Sequence, residues 1–237
     1  MDGRLIKPTR MRSAIARRMR ESKQQAPHFY VQTEVAIDPL RSELETLNAG
    51  DPPARITVTA ALARASVEAL RAHPSFNSVW TPDGLLQADE VNLGVAIALE
   101  DGLLAPAVLA AGTLDLIELA VALRDLAERT RTQKLRPPEL TEATFTLSNL
   151  GMFQVTAFTA IITPPQVATL ATARPVERWS VQDGTPVASS MMTVTLSADH
   201  RAVDGADAAR WLETFKMLVE TPQPLRPESL QTKEAMR

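Results

Sequence analysis

Residues 91–99, VNLGVAIAL, form a near-continuous apolar run. It is half the length of a membrane-spanning helix, which needs about 18 or more apolar residues. A short run of this kind, without polar alternation, reads as a strand buried on both faces and so central in a sheet. Everything else must be arranged to cover it. The 237 residues suffice for one large domain or two small ones, and the 45% hydrophobic content is that of an ordinary globular core. No run elsewhere approaches the length of a membrane span, and no membrane association is expected.

Around that strand the periodicity alternates between helix and strand. Thr9 to Gln24 reads as a helix with Met11, Ile15 and Met19 in one stripe, stopped by Pro27. HFYVQTEVAI (28–37) alternates as a half-buried strand. Asp38-Pro39 opens a helix to about Asn48, and Thr57 or Thr59 opens another to His73. Leu103 to Val108 suggests a short strand, and Thr113 is placed to cap a helix carrying Leu116, Leu119, Leu123 and Leu126. Pro137-Pro138 is a break. The last third reads as strands at 144–148, 157–161, 167–172, 176–181 and 187–198, with Asp183-Gly184 as a hairpin turn, and then a helix from about Ala206 to Glu220. The sum is an α/β fold of two layers: a mixed sheet with helices packed on it.

Composition removes several chemistries. There are no cysteines, which excludes disulfides, cysteine nucleophiles and thiolate metal sites. The three histidines, His28, His73 and His200, lack zinc-motif spacing, so no metal is expected. A net charge of −3 and 4% aromatic residues argue against nucleic-acid binding. The Arg-rich start, with Arg4, Lys7, Arg10, Arg12, Arg17, Arg18 and Arg20, reads as a basic surface helix of the fold or as a transit peptide, and the first is preferred. A cytoplasmic location is expected.

His200 is the main candidate for chemistry. It ends a long strand in SADHRAVDG (197–205), and an imidazole takes a proton near neutral pH. Asp204, four residues on, can fix the turn at the helix entrance or pair with a cation. Read alone, it is equally a helix cap, and His200 a surface histidine. Ser148 ends the strand TFTLS, where its hydroxyl can donate to a developing oxyanion or close a turn. His28 and His73 read as structural, and Met191 and Met192 as core.

HRAVDG (200–205) resembles the H-R-x-x-D-G signature of the acyltransferases (E2 components) of 2-oxoacid dehydrogenase complexes. TRMRSAIARRMRESKQQAPHFYVQTEVAID, GLLAPAV, FTLSNLGMF and AIITPPQVATL resemble further segments of that family, in order, over about residues 5–225. The resemblance implies a chloramphenicol acetyltransferase-like fold assembled as a homotrimer, with active sites in channels between subunits. His200 of one subunit would act as general base, and Ser148 of the next would stabilise the oxyanion. Coenzyme A and a dihydrolipoyl thiol would enter from opposite ends. It also implies a structural ion pair between Asp204 and Arg12. Asn149, Leu103, Pro106, Arg201 and Gly205 would shape the channel or contact substrate.

The departures from the family pattern are specific. No lipoyl-lysine segment, peripheral subunit-binding domain or Pro/Ala-rich linker is found, so residues 1–237 are expected to form one catalytic domain. Within it, 1–26 make an N-terminal helix or arm and 226–237 a polar tail. The lipoyl group would then come from another domain or chain, with dehydrogenase components as possible partners. The polar tail, PLRPESLQTKEAMR, suggests trimers that assemble no further. Glu142-Ala143 and Gln154 replace usual glycines near Ser148. Two other readings fit the same residues: a stand-alone CoA-dependent acetyltransferase acting on a small hydroxyl or amine, and a non-catalytic assembly subunit.

Overall fold

The computed structural model describes residues 3–227 apart from 100, 101 and 183. The elements in chain order are α1 (Arg10–Gln25), β1 (His28–Ala36), α2 (Asp38–Ala49), α3 (Val58–Ala72), β2 (Ser78–Thr81), β3 (Gly84–Gln87), β4 (Leu93–Val95), β5 (Ile97–Leu99), β6 (Gly102–Leu104), β7 (Ala107–Val108), α4 (Leu116–Arg131), α5 (Pro137–Thr141), β8 (Phe145–Asn149), β9 (Ala168–Thr172), β10 (Val176–Gln182), β11 (Thr185–Asp199) and α6 (Gly205–Glu220).

The main sheet runs β1-β11-β9-β8-β4-β7, with β10 paired to the first half of β11. β8 is parallel to both β4 and β9, and the other pairings are antiparallel. The sheet is therefore mixed, as expected. Its register sorts the side chains into two faces. Phe145, Leu147, Leu170, Val194, Leu196, Ala198 and Val35 form an apolar face, all fully buried. α3 and α6 pack against it, with Trp211 stacked between Phe145 and Phe215 at 5.5 and 5.6 Å. The opposite face carries Thr146, Ser148, Thr169, Thr195, Ser197 and Asp199, a polar row that the helical layer does not cover.

Several expectations need correction. The apolar run 91–99 is not one strand. It divides at Ala96 into β4, an interior strand of the main sheet, and β5, which pairs with β6 in a separate hairpin. The 103–108 strand divides likewise into β6 and β7. The cap of α4 is Asp115, not Thr113. Its carboxylate accepts from the N–H groups of Ile117 and Glu118, both at 2.8 Å, and Glu118 returns the bond, a reciprocal box that a lone threonine does not offer. Residues 157–161 are irregular rather than strand, because the chain crosses over between the parallel β8 and β9 there. Pro137-Pro138 opens the short α5, with the prolines in its first turn. The β2–β3 hairpin and α5 went unread in the sequence.

β4 approaches β8 closely at Gly94. A side chain there would lie 3.0 Å from Thr146 Oγ1 and 3.2 Å from the Ala143 side chain, so even a Cβ would force a neighbour to give way at this close approach. Thr146, the residue opposite Gly94, is two positions before Ser148 on β8.

Candidate active site

Ser148 stands on the polar face of β8, at the junction of two cavities that it lines together with Ala96, Leu103 and Leu150. Its hydroxyl has no hydrogen-bond partner among the described residues, which leaves it available to a ligand. Asn149 beside it is fixed: Nδ2 donates to Thr59 Oγ1 at 2.9 Å, and Oδ1 accepts from the Gly151 N–H at 2.7 Å. This Asx turn ends the strand and sets the angle of Ser148.

The first cavity, about 630 Å³, lies between the Ser148 strand end and α4. Its walls are mainly apolar, and it is rimmed by Arg55, Arg124 and Arg131, with no carboxylate among the described residues that line it. The second, about 600 Å³, lies under α1 and the irregular segment 157–166. Ile15 and Met19, two members of the helix stripe, line it. Its floor is polar. Thr146 Oγ1 donates to Gln166 Oε1 at 2.7 Å, and Thr169, 1% exposed, has no partner for its hydroxyl. Ala143, one of the replaced glycines, also lines this cavity, while Gln154 is exposed and bonded to Arg174.

His200 lies elsewhere. It follows β11 on an exposed turn, where its N–H donates to the Pro27 carbonyl at 3.0 Å and its ring rests against Phe29 with centroids 4.7 Å apart. Neither ring nitrogen has a partner among the described residues. Ser148 is opposite Ala171, and Ala171 is opposite Thr195, five residues before His200. With strands ~4.8 Å apart and ~3.4 Å per residue, Ser148 and His200 of one chain are on the order of 20 Å apart. One chain therefore does not bring the two together, and His200 lines neither cavity.

The remaining candidates scatter. Asp204 caps α6, accepting from the N–H groups of Ala206 at 2.8 Å and Asp207 at 3.0 Å. The Arg12–Asp204 ion pair is not formed within the chain: among the described residues none joins them, and Arg12 sits exposed in the first turn of α1. Arg201 is held by buried Asp199, with Nη2 to Oδ2 at 2.6 Å, and its guanidinium stacks 4.5 Å from the Trp80 ring. Both engagements are structural, and Asp199 was not singled out from the sequence. Its place two residues before an arginine at a strand end was the available signal. Pro106 accepts the Val95 N–H at 2.9 Å, while Leu103 lines both cavities. Gly205 opens α6 with open space around it, away from both cavities.

His28 is also more than a strand start. Nδ1 lies 2.8 Å from the Ala26 carbonyl, and Nε2 accepts the Ile162 N–H at 3.2 Å. Burial holds its pKa below the usual histidine value, against the opposing hydrogen bond to Ala26. Among the described residues no group of three histidine or acidic side chains could hold a metal ion, and no helix is long and apolar enough to cross a membrane.

A family model described as the catalytic domain of 2-oxoacid dehydrogenases acyltransferase matches residues 2–226. The chain is 40% identical over 222 residues to the dihydrolipoyllysine-residue acetyltransferase component of the pyruvate dehydrogenase complex of Zymomonas mobilis. That match covers 92% of this chain and 50% of the relative, so the chain spans about half the length of the curated relatives it matches. The dihydrolipoamide acetyltransferase of Azotobacter vinelandii, studied for the catalytic roles of a serine, a histidine and an asparagine, superimposes with a TM-score of 0.89 at 29% identity over 94% of each chain. A chloramphenicol acetyltransferase superimposes with a TM-score of 0.59 at 12% identity, over 86% of this chain and 94% of that one, which establishes the shared fold.

Proposed function

The chain belongs to the 2-oxoacid dehydrogenase acyltransferase family, and from its site we propose that it moves an acyl group between a dihydrolipoyl thiol and coenzyme A, as the E2 core of a 2-oxoacid dehydrogenase complex. The observation that carries this reading is the isolation of Ser148. It has an unengaged hydroxyl between two cavities, and among the described residues neither cavity is lined by a histidine or a carboxylate. His200 is a base presented outward on a turn, far from its own serine. A homotrimer that sets His200 of one subunit against Ser148 of the next completes both.

The chemistry then follows. A thiol with a pKa of about 8.5 is mostly protonated at neutral pH and must lose its proton to attack a thioester. His200 takes that proton at a ring nitrogen as the sulfur bonds to the acyl carbon. The carbonyl oxygen becomes an oxyanion, to which Ser148 donates a hydrogen bond. The tetrahedral intermediate collapses, the other carbon–sulfur bond breaks, and His200 returns the proton to the departing thiolate. Asp204 fixes the start of α6 and so the turn that bears His200.

The two cavities suit two different substrates. Three arginines at the rim of the first favour the phosphates of coenzyme A, with the apolar wall under its thiol arm. The second takes the lipoyl arm, whose hydrocarbon chain suits Ile15, Met19 and Phe158. In this reading a lipoyl domain presents the dihydrolipoyl thiol, the dehydrogenase components are partners, and the setting is the cytoplasm. Residues 1–237 act as one catalytic domain with α1 as its arm. Of the polar tail, residues 228–237 lie outside the described residues.

The test is acyl transfer between coenzyme A and free dihydrolipoamide, with acetyl-, succinyl- and isobutyryl-CoA as donors and His200→Ala as control. Transfer that disappears in the variant is expected. No transfer with any donor, from a folded oligomer, overturns the reading.

A further inference from the structure

The wall of the second cavity is the irregular segment 157–166, which meets a strand only at its end, where the Pro165 carbonyl accepts from Trp80 of β2 and Gln166 bridges to Val79, so that the peptide groups of 157–164 lack sheet or helix partners. Such groups need other partners when buried. Ile162, fully buried, has both of its peptide groups bound by side chains from the first two elements of the chain. Ser22 on α1 donates to its carbonyl at 2.6 Å, and His28 at the start of β1 accepts its N–H at 3.2 Å. Arg18 adds a third tie, from Nη2 to the Pro164 carbonyl at 3.1 Å.

The two partners of His28 fix its protonation. The Ala26 carbonyl can only accept, so Nδ1 carries the proton. The Ile162 N–H can only donate, so Nε2 carries none. Only the neutral ring meets both demands. A second proton would place N–H against N–H and break the tie to the wall. The charged and titratable groups facing the ring are Lys23 on α1, Tyr30 on β1, and Asp199 on β11, itself paired with Arg201. Segment 157–166 contributes none. Burial and Lys23 oppose the second proton, while the Ala26 bond and Asp199 favour it.

The residues either side of His28 hold the other half of the machinery. Pro27 accepts the His200 N–H, and Phe29 supports the His200 ring. We infer that His28 is a positioning residue, whose neutral imidazole clamps segment 157–166 as the wall of the Ser148 cavity and ties that wall to the strand end that seats His200. The clamp opens as pH falls and His28 gains its second proton. The inference rests on the reading above only in taking the Ser148 cavity as the reaction site.

The test uses hydrogen–deuterium exchange over 157–166 in the full chain, from pH 8 to 5, corrected for the intrinsic rate. In the wild type, protection of the Ile162 amide is expected to fall about tenfold over the range in which ¹⁵N shifts report protonation of His28. His28→Leu loses that protection at every pH and lowers kcat for acyl transfer more than it raises KM. His28→Gln, whose Oε1 can accept the same N–H, recovers most of both and removes the pH dependence of exchange. Should His28→Leu not fold, Ser22→Ala frees the same peptide from its other side and leaves His28 to titrate. Wild-type protection that stays constant while His28 protonates overturns the clamp, whatever the activity assay shows. Absence of acyl transfer together with the expected exchange pattern would instead overturn only the assigned reaction.

Discussion

The ring of His200 meets the ring of Phe29 at 4.7 Å between centroids, with the planes inclined by 50°. Together with the bond from the His200 N–H to Pro27, this is what holds the proposed base, since neither imidazole nitrogen has a partner among the described residues. A ring contact of this type contributes about 0.5–1.5 kcal/mol, which converts to up to a tenfold change in rate if it is lost. Phe29→Leu keeps most of the buried volume and removes the aromatic support. It is expected to lower kcat several-fold to tenfold with little change in KM. A steady-state comparison at saturating coenzyme A decides this, and an unchanged kcat would mean that His200 needs no support from Phe29.

The separation of Ser148 from His200 within one chain makes a stronger claim. Ser148→Ala should lose about 10²–10³ in kcat, the effect of removing one oxyanion donor. His200→Ala should lose at least as much. Neither variant works alone. If each site takes its serine and its histidine from different subunits, trimers assembled from an equal mixture of the two variants regain intact sites. Random mixing gives about one intact site in four. Co-refolded mixtures should therefore recover about a quarter of wild-type activity. Mixtures no more active than the separate variants would put both residues of a site in one chain, against the register of β8, β9 and β11.

Much of this was legible in the sequence because local signals and packing agree. The Met11, Ile15 and Met19 stripe, the alternation of 28–37 and the long strand before His200 all became elements within a residue or two of their expected ends. Asp204 became the helix cap that its spacing allowed. What was not legible depends on pairing between distant residues. Nothing local marks Ala96 as the point where an apolar run leaves one sheet for another, since both halves are equally apolar. Segment 157–161 has the composition of a strand, yet it belongs to a crossover held at the adjoining Ile162 by Ser22 and His28, more than 130 positions away. The partner of Arg201 is its near neighbour Asp199, a pair that becomes visible only once the turn is closed. The distance between Ser148 and His200 follows from register alone, which no motif encodes.

Glu139 gives the stability of the fold a dependence on pH. Its carboxylate, 1% exposed, accepts from Arg129 at 2.7 and 2.8 Å and from Arg136 through both backbone and side chain. The hydrogen bonds from Arg129, more than the opposing burial, bring its pKa down to about 2 from 4.5. A carboxyl depressed in the folded state stabilises fully above its unfolded pKa and loses that contribution as pH falls towards the folded value. A depression of this size corresponds to roughly 3 kcal/mol. Glu139→Gln should therefore be much less stable than the wild type at pH 7, and the gap should narrow between about pH 4.5 and 2. Urea unfolding at several pH values measures it. A gap independent of pH would assign the loss to packing rather than charge.

Thr169 presents the opposite case, a buried group without a partner. Thr169 lines the second cavity beside the Thr146–Gln166 bond, and its hydroxyl has no partner among the described residues. An unsatisfied buried hydroxyl costs about 1–3 kcal/mol, and valine has the same shape without it. Thr169→Val should therefore stabilise the protein by about 1 kcal/mol, or a few degrees in Tm. The hydroxyl lies one strand over and two residues along from Ser148, within reach of a substrate whose thioester sits at the serine. Acyl transfer by the more stable variant should then be slower, with kcat/KM down several-fold, because a polar group of the bound substrate loses its partner. Measured together, the two changes separate the possible roles. Higher stability with lower kcat/KM makes Thr169 a substrate contact bought at the expense of the fold. Lower stability would show that the hydroxyl is satisfied in solution, and the argument from its isolation would fall.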